Sequence, residues 1–287
     1  MTTKPIIFIV GPTASGKTAL AIEIAKKYGG EIICADSRTV YRGLDIATAK
    51  PTKQEQEAVR HWCIDMVEPN QRYSAAQFKS YALVVLKDIQ SRGKIPIIVG
   101  GTGLYIDGLL FDYQFGPGAN VQLRSQLSKL SIEELQQKII DSKLRLPENS
   151  KNKRYLIRVL EQGGVNTSHG DLMPGAIVIG INPPKEVLRE RIRARATKML
   201  QNGALQEAEQ LLRKYGYDAP AAAAPFYKAM VPYFINQINL DECLAQYIQN
   251  DQRLAKRQIT WFKRNQATNW FRDSLEARAF VEKFLTE

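Results

Sequence analysis

Histidine and cysteine are scarce in this chain, two and three among 287 residues. Cys34, Cys63 and Cys243 stand far apart without a CxxC pair, and His61 and His169 are solitary. Neither a disulfide framework nor a zinc site is suggested, and the thiols read as buried side chains. The histidines are given no role. Also lacking is any run of about 18 apolar residues that would span a bilayer. The opening "MTTKPIIFIV" has neither the length nor the cleavage site of a signal peptide, so a cytoplasmic protein, expected to be a monomer, follows. Acidic residues fall short as well: 29 Asp and Glu face 40 Lys and Arg, a formal charge of +11. Such an excess favours polyanions, with nucleic acid and anionic membrane surfaces both allowed. At 44% hydrophobic and 24% charged residues, the chain is expected to fold, as one large core or a main domain with a smaller one.

Three apolar runs rich in β-branched residues, Ile6–Val10, Glu31–Ala35 and Ile95–Val99, alternate with helical patterns, notably Lys17–Tyr28 and Ala75–Gln90. That alternation implies βαβ units and a parallel sheet. A fourth run, Ala176–Ile181, follows a long polar, helix-prone interval with turn residues at both ends, "GPGAN" and "GGVNTSHGDLMPG". The expected organisation is an α/β fold, a phosphate-loop parallel sheet flanked by helices. Residues 1–113 and 176–287 supply the core with its helical C-terminal region, and 114–175 form a helical insertion. A short closing strand is expected at Asn269–Arg272.

"GPTASGKT", Gly11 to Thr18, matches GxxxxGK[ST] directly after a strand and before a helix. Glycines let backbone N–H groups turn around an anion, the helix N-terminus adds partial positive charge, Lys17 neutralises phosphate oxygens, and Thr18 is placed to ligate Mg²⁺. A di- or triphosphate ligand is implied. A nucleotide hydrolase usually adds a strand ending in an acid that helps hold Mg²⁺, whereas Ile95–Val99 runs into "GGTGLY" with no carboxylate. The second strand does end in an acid, Asp36 followed by Ser37, at the sheet edge where ligands bind. Asp36 there can bind Mg²⁺ through water, accept a substrate hydrogen bond, remove a proton, or merely cap the next turn.

Six blocks, "GPTASGKT", "ADS...Y.GLDI.TAKP", "YSAAQF", "GGTGLY", "R.LE" and "AKRQITWF", stand in the order and approximate spacing of the bacterial tRNA dimethylallyltransferase family, which the chain resembles over nearly its whole length. The resemblance implies transfer of a dimethylallyl group from dimethylallyl diphosphate to N6 of the adenosine just 3′ of the anticodon. It implies a diphosphate held by Gly11, Thr13, Ala14, Ser15, Gly16, Lys17 and Thr18, with Mg²⁺ as cofactor, and Asp36 as the catalytic base. Arg191 and Arg195, at i, i+4 spacing in "RERIRAR", are candidates for closing over the diphosphate, or form a solvated basic face. Contacts to the tRNA anticodon stem-loop are implied for Asp36, Ser37, Arg38, Thr39, Thr102, Arg124, Arg154, Arg158, Lys256, Arg257, Gln258, Thr260, Trp261 and Lys263. On the same grounds the insertion is assigned to tRNA binding. Read on its own, "LAKRQITWFKRNQ" sets Lys256, Arg257, Lys263 and Arg264 beside Trp261 and Phe262, which either stack bases or anchor the helix to the core.

The chain leaves the family pattern twice. "ATAKP" has Ala47 where the family has glycine, a poor substitution if φ must be positive. "PFYKAM" aligns with G-Y-[KR]-E: Tyr227 and Lys228 match and carry the family's tRNA contacts, while Phe226 and Ala229 replace glycine and glutamate. Two outcomes are open there, displacement of the segment from the RNA channel or a new stacking surface at Phe226. Two other functions fit part of the pattern: a small-molecule kinase built on the same loop, and a tRNA-binding relative with a decayed active site.

Overall fold

The computed structural model describes residues 4–116, 118, 120–163 and 170–286; His169 and parts of both expected turn stretches lie outside them. The described residues up to Leu110 and from Leu172 onward form one compact unit, and those from Phe111 to Asp171 another, against the expected insertion of 114–175. The larger unit begins with β1 (Ile6–Val10), α1 (Lys17–Tyr28), β2 (Gly30–Cys34), α2 (Lys53–Ala58), β3 (His61–Trp62), α3 (Ala75–Ser91), β4 (Ile95–Gly100) and α4 (Gly103–Leu110). The smaller unit holds α5 (Val121–Lys129), α6 (Ile132–Asp141) and α7 (Lys153–Gln162). The chain then returns through β5 (Ala176–Ile181), α8 (Lys185–Gln201), α9 (Ala204–Tyr215), α10 (Pro225–Phe234), α11 (Leu240–Phe262), β6 (Thr268–Phe271) and α12 (Ser274–Thr286).

All six strands pair in parallel, in the order β3-β2-β4-β1-β5-β6. β1 lies centrally, Ile7 opposite Ile97 on one side and Ile177 on the other. Helices cover both faces, so its sequence IIFIV is buried throughout instead of alternating. Ile7, Ile9, Leu20, Ile24, Ile32, Ile97, Ile179 and Ile181 belong to one apolar cluster. Local chemistry sets the helix ends: α3 starts at a capping box of Ser74 and Gln77, and α1 stops at Gly29, φ 67°. In the smaller unit, α6 starts at a Ser131/Glu134 capping box, and Leu127, Leu135, Ile139, Leu156 and Ile157 form its core.

Four elements differ by a residue from the sequence reading, β4 and α3 by running one residue further, to Gly100 and Ser91. β2 starts and stops one residue early, since the Ala35 carbonyl turns to accept from Thr102 N–H, and the closing strand is Thr268–Phe271. β3, two residues long, carried no periodic signal at all.

Candidate active site

The carboxyl edge of the sheet gathers the loop after β1, the acid after β2 and the glycines after β4. In the first of these, Gly11 has φ +152°, and a Cβ there would lie 2.5 Å from the Ile181 carbonyl oxygen. Ala14 (φ 60°) and Gly16 (φ 93°) also turn left-handed, which curls successive N–H groups into an anion-binding nest at the start of α1. Lys17 Nζ donates to the Pro12 carbonyl at 3.1 Å, bracing the loop from within. Burial pushes its pKa down from 10.5 to about 8; Asp36 and Asp251 oppose that shift and Arg195 adds to it. Ser15 Oγ is buried without a hydrogen-bond partner among the described residues, the condition of a group that a bound oxyanion would satisfy.

Asp36 accepts the Arg38 N–H on Oδ1 at 2.8 Å, so it does cap its turn. It also lines an open cleft of about 330 Å³ together with Lys17, Thr18, Arg38, Thr39 and Arg195. Thr102 Oγ1 accepts the Ser37 N–H at 3.0 Å and lies 3.3 Å from Ser37 Oγ, fixing the residue next to Asp36; Thr39 is buried. The rest of this segment hangs on two charged side chains that sequence reasoning missed. Lys50, its side chain 2% exposed, donates to the Tyr41 carbonyl, Asp45 and Asp65 at 2.9, 2.5 and 2.6 Å. Glu207 on α9 accepts the N–H groups of Asp45, Ile46 and Ala47 at 2.7, 2.9 and 2.9 Å, and the Tyr227 hydroxyl at 2.7 Å. Ala47 is not among the residues with positive φ, whereas Ala49 is, at 51°. The replacement of glycine at 47 therefore carries no backbone strain.

Helices α8, α10 and α11 build the opposite wall. Arg195 Nη2 donates to Asp251 at 2.5 Å, and Arg195 Nε is buried without a partner among the described residues. Asp251 is itself buried, which raises its pKa against the pull of Arg195. Arg191 is exposed and donates to the Ser15 carbonyl at 3.3 Å, so both arginines of the pair reach the phosphate loop or its cleft. Two glycines of "GGTGLY" interlock with α11. A Cβ on Gly101 would meet Gln258 Nε2 at 2.4 Å, and one on Gly103 would meet the Trp261 ring at 2.3 Å.

Several residues expected at RNA are otherwise engaged. Gln258 accepts from Thr13 N–H at 2.8 Å and donates to the Gly101 carbonyl at 2.9 Å, clamping two loops. Trp261 donates to Asp107 at 2.7 Å and Phe262 is buried, so the aromatics of this helix anchor it. Tyr227 is fully buried on Glu207, which removes it as an RNA contact. Phe226, 1% exposed, lies at the cleft wall and is not presented as a stacking surface. Lys228, Lys256, Arg257, Thr260 and Lys263 are exposed, with the Thr260 hydroxyl turned back to the Lys256 carbonyl. Within the smaller unit, Arg124 commits its guanidinium fork to buried Glu161, at 2.8 and 2.5 Å, with Arg158 3.7 Å away; Arg154 is exposed.

Among the described residues no group of three or more His, Cys, Asp or Glu could hold a metal ion. The Thr18 hydroxyl and Asp36 carboxylate, both at the cleft, suit Mg²⁺ nonetheless, because that ion keeps several waters and takes its remaining ligands from one or two carboxylates and substrate phosphates. No helix among the described residues is long and apolar enough to cross a membrane. Of the groups missed, Asp251 had one usable signal, an acid in an otherwise basic stretch; Lys50 stood in the "TAKP" block without a role, and Glu207 had no signal.

Residues 39–265 match the family model described as IPP transferase. A tRNA dimethylallyltransferase of Streptococcus pyogenes serotype M49 is 41% identical over 276 residues, 94% of this chain and 91% of the relative. Among solved structures, the full-length tRNA isopentenylpyrophosphate transferase of Bacillus halodurans has a TM-score of 0.75 at 32% identity, over 99% of this chain and 97% of that one. A eukaryotic dimethylallyltransferase, described as acting on tRNA, has a TM-score of 0.76 at 26% identity, over 91% and 70%.

Proposed function

The chain belongs to the IPP transferase family, and on that premise we propose that it transfers a dimethylallyl group from dimethylallyl diphosphate to N6 of the adenosine 3′-adjacent to the anticodon in tRNA. One observation carries the reading: the phosphate loop after β1 with its lysine and the aspartate after β2 line one cleft across the end of β4, while Arg191 of α8 donates to the loop and Arg195 lines the cleft. Adenine N6 is a weak nucleophile because its lone pair is delocalised into the ring. As N6 bonds to C1 of the donor, the C1–O bond breaks and diphosphate leaves with the electron pair. Asp36 takes the N6 proton. Lys17 and Arg195 meet the charge that grows on the leaving diphosphate, and the nest N–H groups and Ser15 hydroxyl complete its hydrogen bonds. Bound Mg²⁺, held by Thr18 and Asp36 directly or through water, would supply further positive charge at that diphosphate.

Reaching Asp36 requires the adenine to leave its stack. The exposed cations Lys256 and Arg257 of α11 and Lys263 at its end suit the phosphates of the anticodon stem-loop. The enzyme acts as a cytoplasmic monomer in this reading. Unmodified tRNA incubated with Mg²⁺ and dimethylallyl diphosphate labelled in the prenyl group should gain label. A parallel incubation with γ-labelled ATP should leave tRNA and small acceptors unlabelled. Label transferred from ATP alone would favour a kinase, and label from neither donor a decayed site.

A further inference from the structure

Phe226 is used by no step above, yet it stands in the wall of the same cleft. Its ring packs edge-on against Tyr247 at 5.2 Å and against Tyr227 at 6.3 Å. Tyr227 is held by Glu207, and Tyr247 donates to the Met199 sulfur at 3.6 Å. The ring is therefore wedged, with little room to swing away. The lining of the cleft is mixed: Lys17, Thr18, Asp36 and Arg195 are polar, whereas Met199, Ala224, Pro225, Phe226 and Leu254 are apolar, and Phe226 and Met199 both meet Tyr247. A prenyl diphosphate has the same two-part character, a charged head and a hydrocarbon tail. With its head on the phosphate loop, the tail is driven to the apolar lining by the hydrophobic effect.

We propose that Phe226 is the residue that limits donor chain length, its ring closing the apolar end of the cleft to tails longer than a single isoprene unit. The inference rests on the prenyl-transfer reading above. Phe226→Ala removes the phenyl ring, about the volume of one further isoprene unit, while leaving the phosphate loop and Asp36 untouched.

The test compares transfer to unmodified tRNA from dimethylallyl and geranyl diphosphates, as the ratio of their kcat/KM values, in wild type and Phe226→Ala. Wild type should strongly prefer the five-carbon donor. The variant should raise the ten-carbon to five-carbon ratio by roughly 10-fold or more, since pocket shape discriminates apolar groups at about that level. Inhibition by inorganic diphosphate, which has no tail, should stay unchanged. A ratio within about twofold of wild type in a folded variant would overturn the proposal while leaving prenyl transfer intact. No transfer from either donor by wild type would overturn both together. If Phe226→Ala fails to fold, Phe226→Leu gives the same comparison with a smaller expected rise, and an unmoved ratio there counts equally against it.

Discussion

Lys17 is subject to two opposed effects, burial that disfavours its ammonium form and the nearby carboxylates of Asp36 and Asp251 that favour it, and burial prevails, leaving a pKa of about 8. Below that value the side chain is charged and attracts the donor; above it the neutral amine does not. The kcat/KM for dimethylallyl diphosphate, which reports the free enzyme, should therefore fall as pH rises through about 8, and a profile flat across that range would contradict the assignment. Asp36→Asn keeps the Oδ1 that caps the turn at Arg38 but cannot accept a proton. Its single-turnover rate should drop by roughly 10²- to 10⁴-fold with donor binding retained, and a near-normal rate would remove Asp36 from the chemistry. Both residues were legible because each sits in a contiguous motif at a strand end. Asp251 was not, because its meaning comes from Arg195, 56 residues away in sequence. Phe226 read as a defect in a pattern until its burial at the cleft gave it a place.

Among the elements, α11 shows how a motif can be recognised for one property and kept for another. Its cations do face outward, but Gln258 and Trp261 lock into the glycines after β4. "GGTGLY" is glycine-rich because a neighbouring helix comes too close for side chains, and spacing in the chain does not disclose that. Gly100 is constrained by a strand end instead, since a Cβ there would lie 2.0 Å from the Ala35 carbonyl oxygen just after β2. Gly103→Ala should push Trp261 off Asp107, destabilise the protein by about 1–3 kcal/mol and lower activity. Thermal denaturation and the transfer assay check this together, and an unchanged Tm would mean the helix yields at no cost. The sheet itself was legible almost to the residue, because buried parallel strands write long apolar runs. β3 was not, since two residues carry no period.

For the whole molecule the net charge of +11 predicts tRNA affinity that falls steeply with ionic strength. Each phosphate neutralised contributes a log–log slope of roughly −0.7 to −0.9. Lys256→Ala or Arg257→Ala should make the slope shallower by about one contact, and filter binding across a salt series measures it. An unchanged slope would put this face of α11 away from the RNA. Charge pointed to a polyanion from composition alone, but composition could not say which nucleotide reacts. That is the central claim, and its most direct test is the product on two synthetic anticodon stem-loops, identical except for adenosine or guanosine just 3′ of the anticodon. With dimethylallyl diphosphate and Mg²⁺, nucleoside mass spectrometry should find N6-dimethylallyl adenosine from the first and no prenylated nucleoside from the second. Equal prenylation of both, or of neither, would contradict it.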